Sequence, residues 1–129
     1  MFKKLFASSS EKGTEKKSTV NWIPLTTIDQ LENLKSLSQQ EPILIFKHST
    51  RCGISRMVLK QFEKQIDASM SNLKLVYLDL LNHRDISNEI AAIFDVIHQS
   101  PQLLVISKEK VIEHASHYDI TSIELNKYI

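Results

Sequence analysis

Four consecutive apolar residues, Ile43-Leu44-Ile45-Phe46, do most to limit what this chain can fold into. An unbroken apolar run of strand length has no wet side, so it suits a strand covered on both faces. Pro42 prevents a helix from running into it. The polar stretch from Lys47 to Gly53 reads as a short loop. A helix is expected from about Ile54 to Ala68, where Val58, Phe62 and Ile66 recur at four-residue steps with Met57 and Leu59 beside them.

The same alternation runs through the rest of the chain. Val20 to Leu25 reads as a short strand that Pro24 confines to an edge. Thr26 or Thr27 can cap a helix whose apolar face is Ile28, Leu31, Leu34 and Leu37. Leu73 to Leu80 is the next strand. Asp85 or Ser87 can cap the helix that carries Ile86, Ile90, Ile93 and Phe94. Pro101 opens a strand over Gln102–Ile106, residues 107–110 have hairpin-turn length, and Val111–Ala115 is the antiparallel return. Thr121-Ser122-Ile123-Glu124 matches a capping box and predicts a last helix with Leu125 and Ile129 on one side. The order β-α-β-α-β-α-β-β-α implies parallel pairing through crossovers, closed by a hairpin. This is the thioredoxin arrangement: an α/β fold with a central mixed four- to five-stranded sheet flanked by helices, over residues 20–129. Residues 1–19 are polar and without periodicity and read as a flexible tail.

At 129 residues the chain has room for one domain. Its 42% hydrophobic content supports a packed core. Sixteen basic and 15 acidic residues nearly cancel, which argues against a nucleic-acid binder. No run approaches the roughly 18 apolar residues of a membrane-spanning helix. The apolar stretch near Met1 is too short for a signal peptide, so a cytoplasmic protein is expected. The single cysteine excludes an internal disulfide and a disulfide-stapled fold.

A lone cysteine is often only a small buried hydrophobe. The surroundings of Cys52 point further. It falls between a buried strand and the helix after it, where first-turn N–H groups and the helix dipole favour a thiolate. Arg51 is adjacent, and Lys47 and His48 are near in sequence, so a positive local field is expected. Ser55 stands three residues on, in reach of the sulfur, and Gly53 leaves room for a partner to approach. Each has a plainer reading: a solvated arginine, a helix-capping serine, a histidine satisfied by backbone. Cys52-Gly53-Ile54-Ser55 is a C-x-x-S site. It lacks the second sulfur that would discharge a mixed disulfide internally, so exchange with a small thiol is expected. Among His98, His114 and His117 only His114-x-x-His117 approaches metal-ligand spacing; it reads as strand-end polarity, and no metal is assigned.

Several separated segments resemble the monothiol bacilliredoxin family. Phe46-Lys47-His48-Ser49, Cys52 and Ile54-Ser55 match its F-K-H-S-x-x-C-P-I-S motif. His98-Gln99-Ser100-Pro101-Gln102 matches H-x-S-P-Q, Ser116-His117-Tyr118-Asp119-Ile120-Thr121 matches S-H-x-x-I-T, and Trp22 to Leu25 matches W-x-x-L. The family's proline after the cysteine is Gly53 here. The resemblance implies a cytoplasmic thiol–disulfide oxidoreductase whose Cys52 takes bacillithiol, a low-molecular-weight thiol, from S-bacillithiolated proteins. Bacillithiol would be a co-substrate, with no tightly bound cofactor, no metal, no nucleic acid or membrane partner, and a monomer as the working form. Cys52 and Ser55 would be catalytic. His48, Arg51 and Gly53 would bind substrate, with Arg51 and His48 on the small thiol's carboxylates. Ser100 and a cis Pro101 would face the cysteine. Cys-Gly-x-Ser is also the pattern of monothiol glutaredoxins that carry iron–sulfur clusters, so a cluster carrier using Cys52 and a small thiol is one alternative. A non-catalytic thioredoxin-like interaction module is another.

Alkylation of Cys52 by iodoacetamide followed against pH is expected to show a midpoint below the free-cysteine value of about 8.5. Arg51→Glu should raise that midpoint, and a wild-type midpoint at or above the free value would leave Cys52 an ordinary thiol.

Overall fold

The computed structural model describes residues 20–129, so the expected tail lies outside the described part. Five strands form one sheet: β1 (Ile23–Pro24), β2 (Ile43–His48), β3 (Lys74–Asp79), β4 (Gln102–Ser107) and β5 (Lys110–Ser116). Their spatial order is β1-β3-β2-β4-β5. β3 runs parallel to β1 and β2, whereas β4 is antiparallel to β2 and to β5. The helices are α1 (Ile28–Leu37), α2 (Gly53–Lys64) and α3 (Arg84–Phe94). The thioredoxin arrangement expected from the sequence is the one observed.

β2 lies between β3 and β4, and all six of its residues are buried. Side chains alternate across a strand, so β2 feeds two cores. Ile43 and Ile45 join Leu31, Leu34, Ile86, Ile90 and Phe94 under α1 and α3. Leu44 and Phe46 join Val58 and Phe62 of α2 on the other face, together with Ile120, Ile123 and Leu125. Trp22 closes this second core. Its ring lies 6.0 Å from Phe46 and 5.9 Å from Phe62, and its Nε1 donates to Glu63 Oε2 at 2.7 Å.

Several boundaries differ from the sequence reading. β2 continues through Lys47 and His48, which that reading gave to a loop, because both side chains find polar partners while buried. β1 is reduced to two residues, followed by one more link from the Leu25 N–H to Tyr77 O. α2 stops at Lys64 rather than Ala68. Asp67 is extended, and its side chain caps the Ser69 N–H of a 3-10 turn, Ala68–Met70. Thr27 caps α1 as expected. Neither Asp85 nor Ser87 caps α3, whose N-cap is His83, without a side-chain bond.

The last helix is replaced by two 3-10 segments, His117–Ser122 and Leu125–Tyr128, with Ile123 extended between them. Ile123 and Leu125 both enter the core. Two residues apart, they would point to opposite sides of an α-helix. The Thr121 hydroxyl donates back to Tyr118 O instead of opening a capping box. Among the described residues no helix is long and apolar enough to cross a membrane.

Phe62 has no exposed surface and touches both Phe46 and Trp22. Phe62→Ala should therefore cost about 3–5 kcal/mol in stability, seen as a lower urea midpoint with an unchanged slope.

Candidate active site

Cys52 is the N-cap of α2. Its backbone is extended, with φ −103° and ψ 123°, and its carbonyl accepts the Arg56 N–H at 3.1 Å. Its own N–H closes a turn on Ser49 O at 3.2 Å. The thiol is free, partly exposed, and makes no capping hydrogen bond. A sulfur here lies at the positive end of a helix of 12 residues.

Ser55 is fully buried and turned inward. Its Oγ accepts the Ser49 N–H at 3.1 Å and lies 2.8 Å from His48 Nδ1. The expected reach of this hydroxyl back to the sulfur is not what forms. Ser55 instead ties the loop that carries Cys52 to the end of β2 and the first turn of α2.

His48, expected to help hold a ligand's carboxylates, is 4% exposed. Its ring packs at a tilt against those of Tyr77, 5.6 Å away, and Phe46, 6.4 Å away. Burial pulls its pKa below the ordinary histidine value. Arg56 acts in the same direction, while Asp79 and Glu63 oppose it. Asp79 sits across from His48 in the β2–β3 register. Asp79 Oδ2 accepts from Asn82 at 2.8 Å, whereas its Oδ1 is buried without a partner.

Arg51 is exposed beside the cysteine. Arg56, one turn into α2, arches back so that Nη1 donates to Thr50 O at 3.0 Å. A Cβ built on Gly53 would meet only Arg56 Nη2, at 3.8 Å, and Gly53 does not have a positive φ. Neither backbone nor space demands glycine there, and the first helical position also suits the family's proline.

The Ser100–Pro101 peptide is cis. Lys47 pairs with Gln102 in the antiparallel β2–β4 register. Pro101 directly precedes Gln102 of that pair in sequence, and its carbonyl accepts the His117 N–H at 3.0 Å. The cis bond thus stands just before β4, beside the carboxyl end of β2, the strand that leads into the Cys52 loop. Ser100 Oγ is buried without a partner.

Lys47, expected to add to the positive field at the cysteine, points to the opposite face of the sheet. The sequence reading gave no role to Asp79, Tyr77 or Arg56. Asp79 had a signal: it is an acid at the carboxyl end of a buried strand, where open α/β sheets place their sites. Tyr118, which contacts Met57 through its hydroxyl at 3.8 Å, and the half-exposed Ile54 and Met57 give α2 an apolar outer rim. Among the described residues no group of three or more His, Cys, Asp or Glu side chains is placed to hold a metal ion.

A family profile described as monothiol bacilliredoxin BrxC matches residues 23–125. A solved thioredoxin-fold protein, provisionally described as an oxidoreductase, is 31% identical. The match covers 76% of this chain and 84% of that one, with a TM-score of 0.65. A thioredoxin from Nicotiana alata aligns at 17% identity and a TM-score of 0.66, over 86% of this chain and 97% of its own. The thioredoxin of Fasciola hepatica aligns at 15% and 0.66, over 82% and 98%. These last two likenesses bear on the fold alone.

Ser55→Ala removes the hydroxyl that accepts the Ser49 N–H and hydrogen-bonds His48 Nδ1. It should lower stability by about 1–3 kcal/mol, measured by urea unfolding. Retained wild-type stability would show that the loop does not depend on this hydroxyl.

Proposed function

The chain belongs to the monothiol bacilliredoxin family, and from that premise we propose that it removes bacillithiol from protein mixed disulfides through Cys52. The family and the fold carry a thiol–disulfide redox role. The observation that supports the finer reading is the position of the chain's one cysteine, partly exposed at the start of α2, with a buried serine where a resolving sulfur would stand.

The Cys52 thiolate attacks the bacillithiol sulfur of a protein–bacillithiol disulfide. A new Cys52–bacillithiol disulfide forms, the old bond breaks, and the substrate protein leaves as a thiolate that takes a proton from water. No electrons are gained or lost overall. Ser55 has no sulfur with which to expel the adduct, so a second thiol must do so by the same exchange. The dipole of α2 stabilises the sulfur as an anion. Arg51, exposed beside Cys52, is the group we assign to the carboxylates of the small thiol. Ser55 supports the reaction by fixing the loop, and Gly53, Ser100 and Pro101 border the approach to the sulfur. The partners in this reading are S-bacillithiolated cytoplasmic proteins, met by a monomer without a bound cofactor.

Intact-mass spectrometry of a reaction with a bacillithiolated protein should show the bacillithiol mass moving onto Cys52. Cys52→Ser should abolish transfer, and Arg51→Glu should slow it about tenfold, as for one lost charge-assisted contact. Reduction of the substrate without any adduct on wild type would overturn the mechanism. A brown protein whose visible absorption is lost in Cys52→Ser would replace it with the cluster carrier.

A further inference from the structure

Three residues within the family-like motifs, Lys47, His98 and Gln102, have no part in the chemistry at the sulfur. They meet on the face of the sheet turned away from Cys52. Lys47 is 1% exposed. Its Nζ lies 2.9 Å from His98 Nδ1, across 51 residues of sequence, and the Ser87 hydroxyl lies 3.2 Å from the same nitrogen. An ammonium group has no acceptor lone pair, so His98 Nδ1 is the acceptor. Gln102, the register partner of Lys47, donates Nε2 to Ile97 O at 3.1 Å and accepts the Gln99 N–H at 3.4 Å.

Residues 97–99 are therefore held by two buried side chains of the central strands. These residues form the approach to Ser100 and the cis Pro101. Apolar burial does little to fix them, because Ile97 is 82% exposed. The cost of burying Lys47 is visible in its own chemistry: burial pushes its pKa from 10.5 down to about 8. It forms no ion pair among the described residues. An apolar side chain of similar length would be cheaper to bury at this position. A costly amine spent on a loop that has little else to hold it implies that the placement of the loop matters.

We propose that Lys47 is a positioning residue, latched to His98 and assisted by Gln102, which holds the 97–100 segment against the Cys52 loop for the incoming mixed disulfide. This rests on the reading of Cys52 as the exchanging thiol. The latch acts from behind the sheet and touches neither the sulfur nor the substrate. A small reagent that needs only the thiolate does not depend on it. A protein disulfide, which must fit between the two loops, does.

Lys47→Met keeps the length and removes the donor. Its alkylation by iodoacetamide should stay within about twofold of wild type, while kcat/KM toward a bacillithiolated protein falls about tenfold, mostly through KM. His98 faces Lys47 on β2 and Ser87 and Arg84 on α3. Burial first, then the charges of Lys47 and Arg84, hold its pKa below the ordinary value. In Lys47→Met the His98 ring, followed by NMR, should therefore titrate at higher pH, and the Gln99 amide should exchange faster. His98→Gln, at an exposed residue, should reproduce the loss in kcat/KM, and the double variant should be no worse than either single one. Unchanged kcat/KM in both single variants, an unmoved His98 titration, or an equal fall in alkylation would overturn the proposal. Should wild type accept no bacillithiol, the functional reading fails by itself, and the His98 titration and Gln99 exchange still decide whether the latch exists.

Discussion

A strand with water on neither face governs this molecule. Because β2 is buried from Ile43 to His48, every side chain it carries must be accommodated by packing or by a hydrogen bond. The first four are apolar and divide between the two cores. The last two are a lysine and a histidine, and each has drawn a polar partner to its own face. His48 fixes Ser55 and so the loop of the cysteine. Lys47 reaches His98 and so the loop of the cis proline. Both walls of the site are thus referred to one rigid element, which is the condition for keeping a reacting geometry constant.

Much of this was legible in the sequence, because hydrophobic periodicity reports burial and burial decides the sheet. The run at 43–46, the helical stripes and the hairpin identify the architecture, and the break between strand and helix places Cys52 at an N-terminus. The errors fall where a polar residue is buried. Lys47, His48 and Ser55 look like loop and cap residues because composition prices them as surface. Period-two alternation, carried two residues further, would have set Lys47 and His48 on opposite faces. The carboxyl-terminal segment misled for another reason. A capping-box pattern is a local preference, and burial of Ile123 and Leu125 on the same side outweighs it. The cis bond at Pro101 was visible only through family resemblance, since no local pattern specifies it.

The β4–β5 hairpin shows the same dependence on distant support. Its two turn residues, Lys108 and Glu109, have φ of 53° and 67°, a region that favours glycine or asparagine. The turn is held from outside. Ser38, just past α1, accepts the Lys108 N–H at its carbonyl and the Glu109 N–H at its hydroxyl, and Lys108 Nζ donates to Gln39 O. α1 therefore fixes the far end of β4, while Lys47 and Gln102 fix the near end. The strand that presents Pro101 is constrained at both ends by residues remote in sequence.

The inward turn of Ser55 has an evolutionary consequence. Serine and cysteine differ by one atom and by a single base in some of their codons. The slot that Ser55 fills already lies one helical turn beyond Cys52 and against the imidazole of His48. A sulfur in that slot would lie beside that imidazole and one helical turn from any adduct that Cys52 carries. On the proposed reading, a carrier that waits for an outside thiol and an enzyme that clears itself differ in this scaffold by one residue.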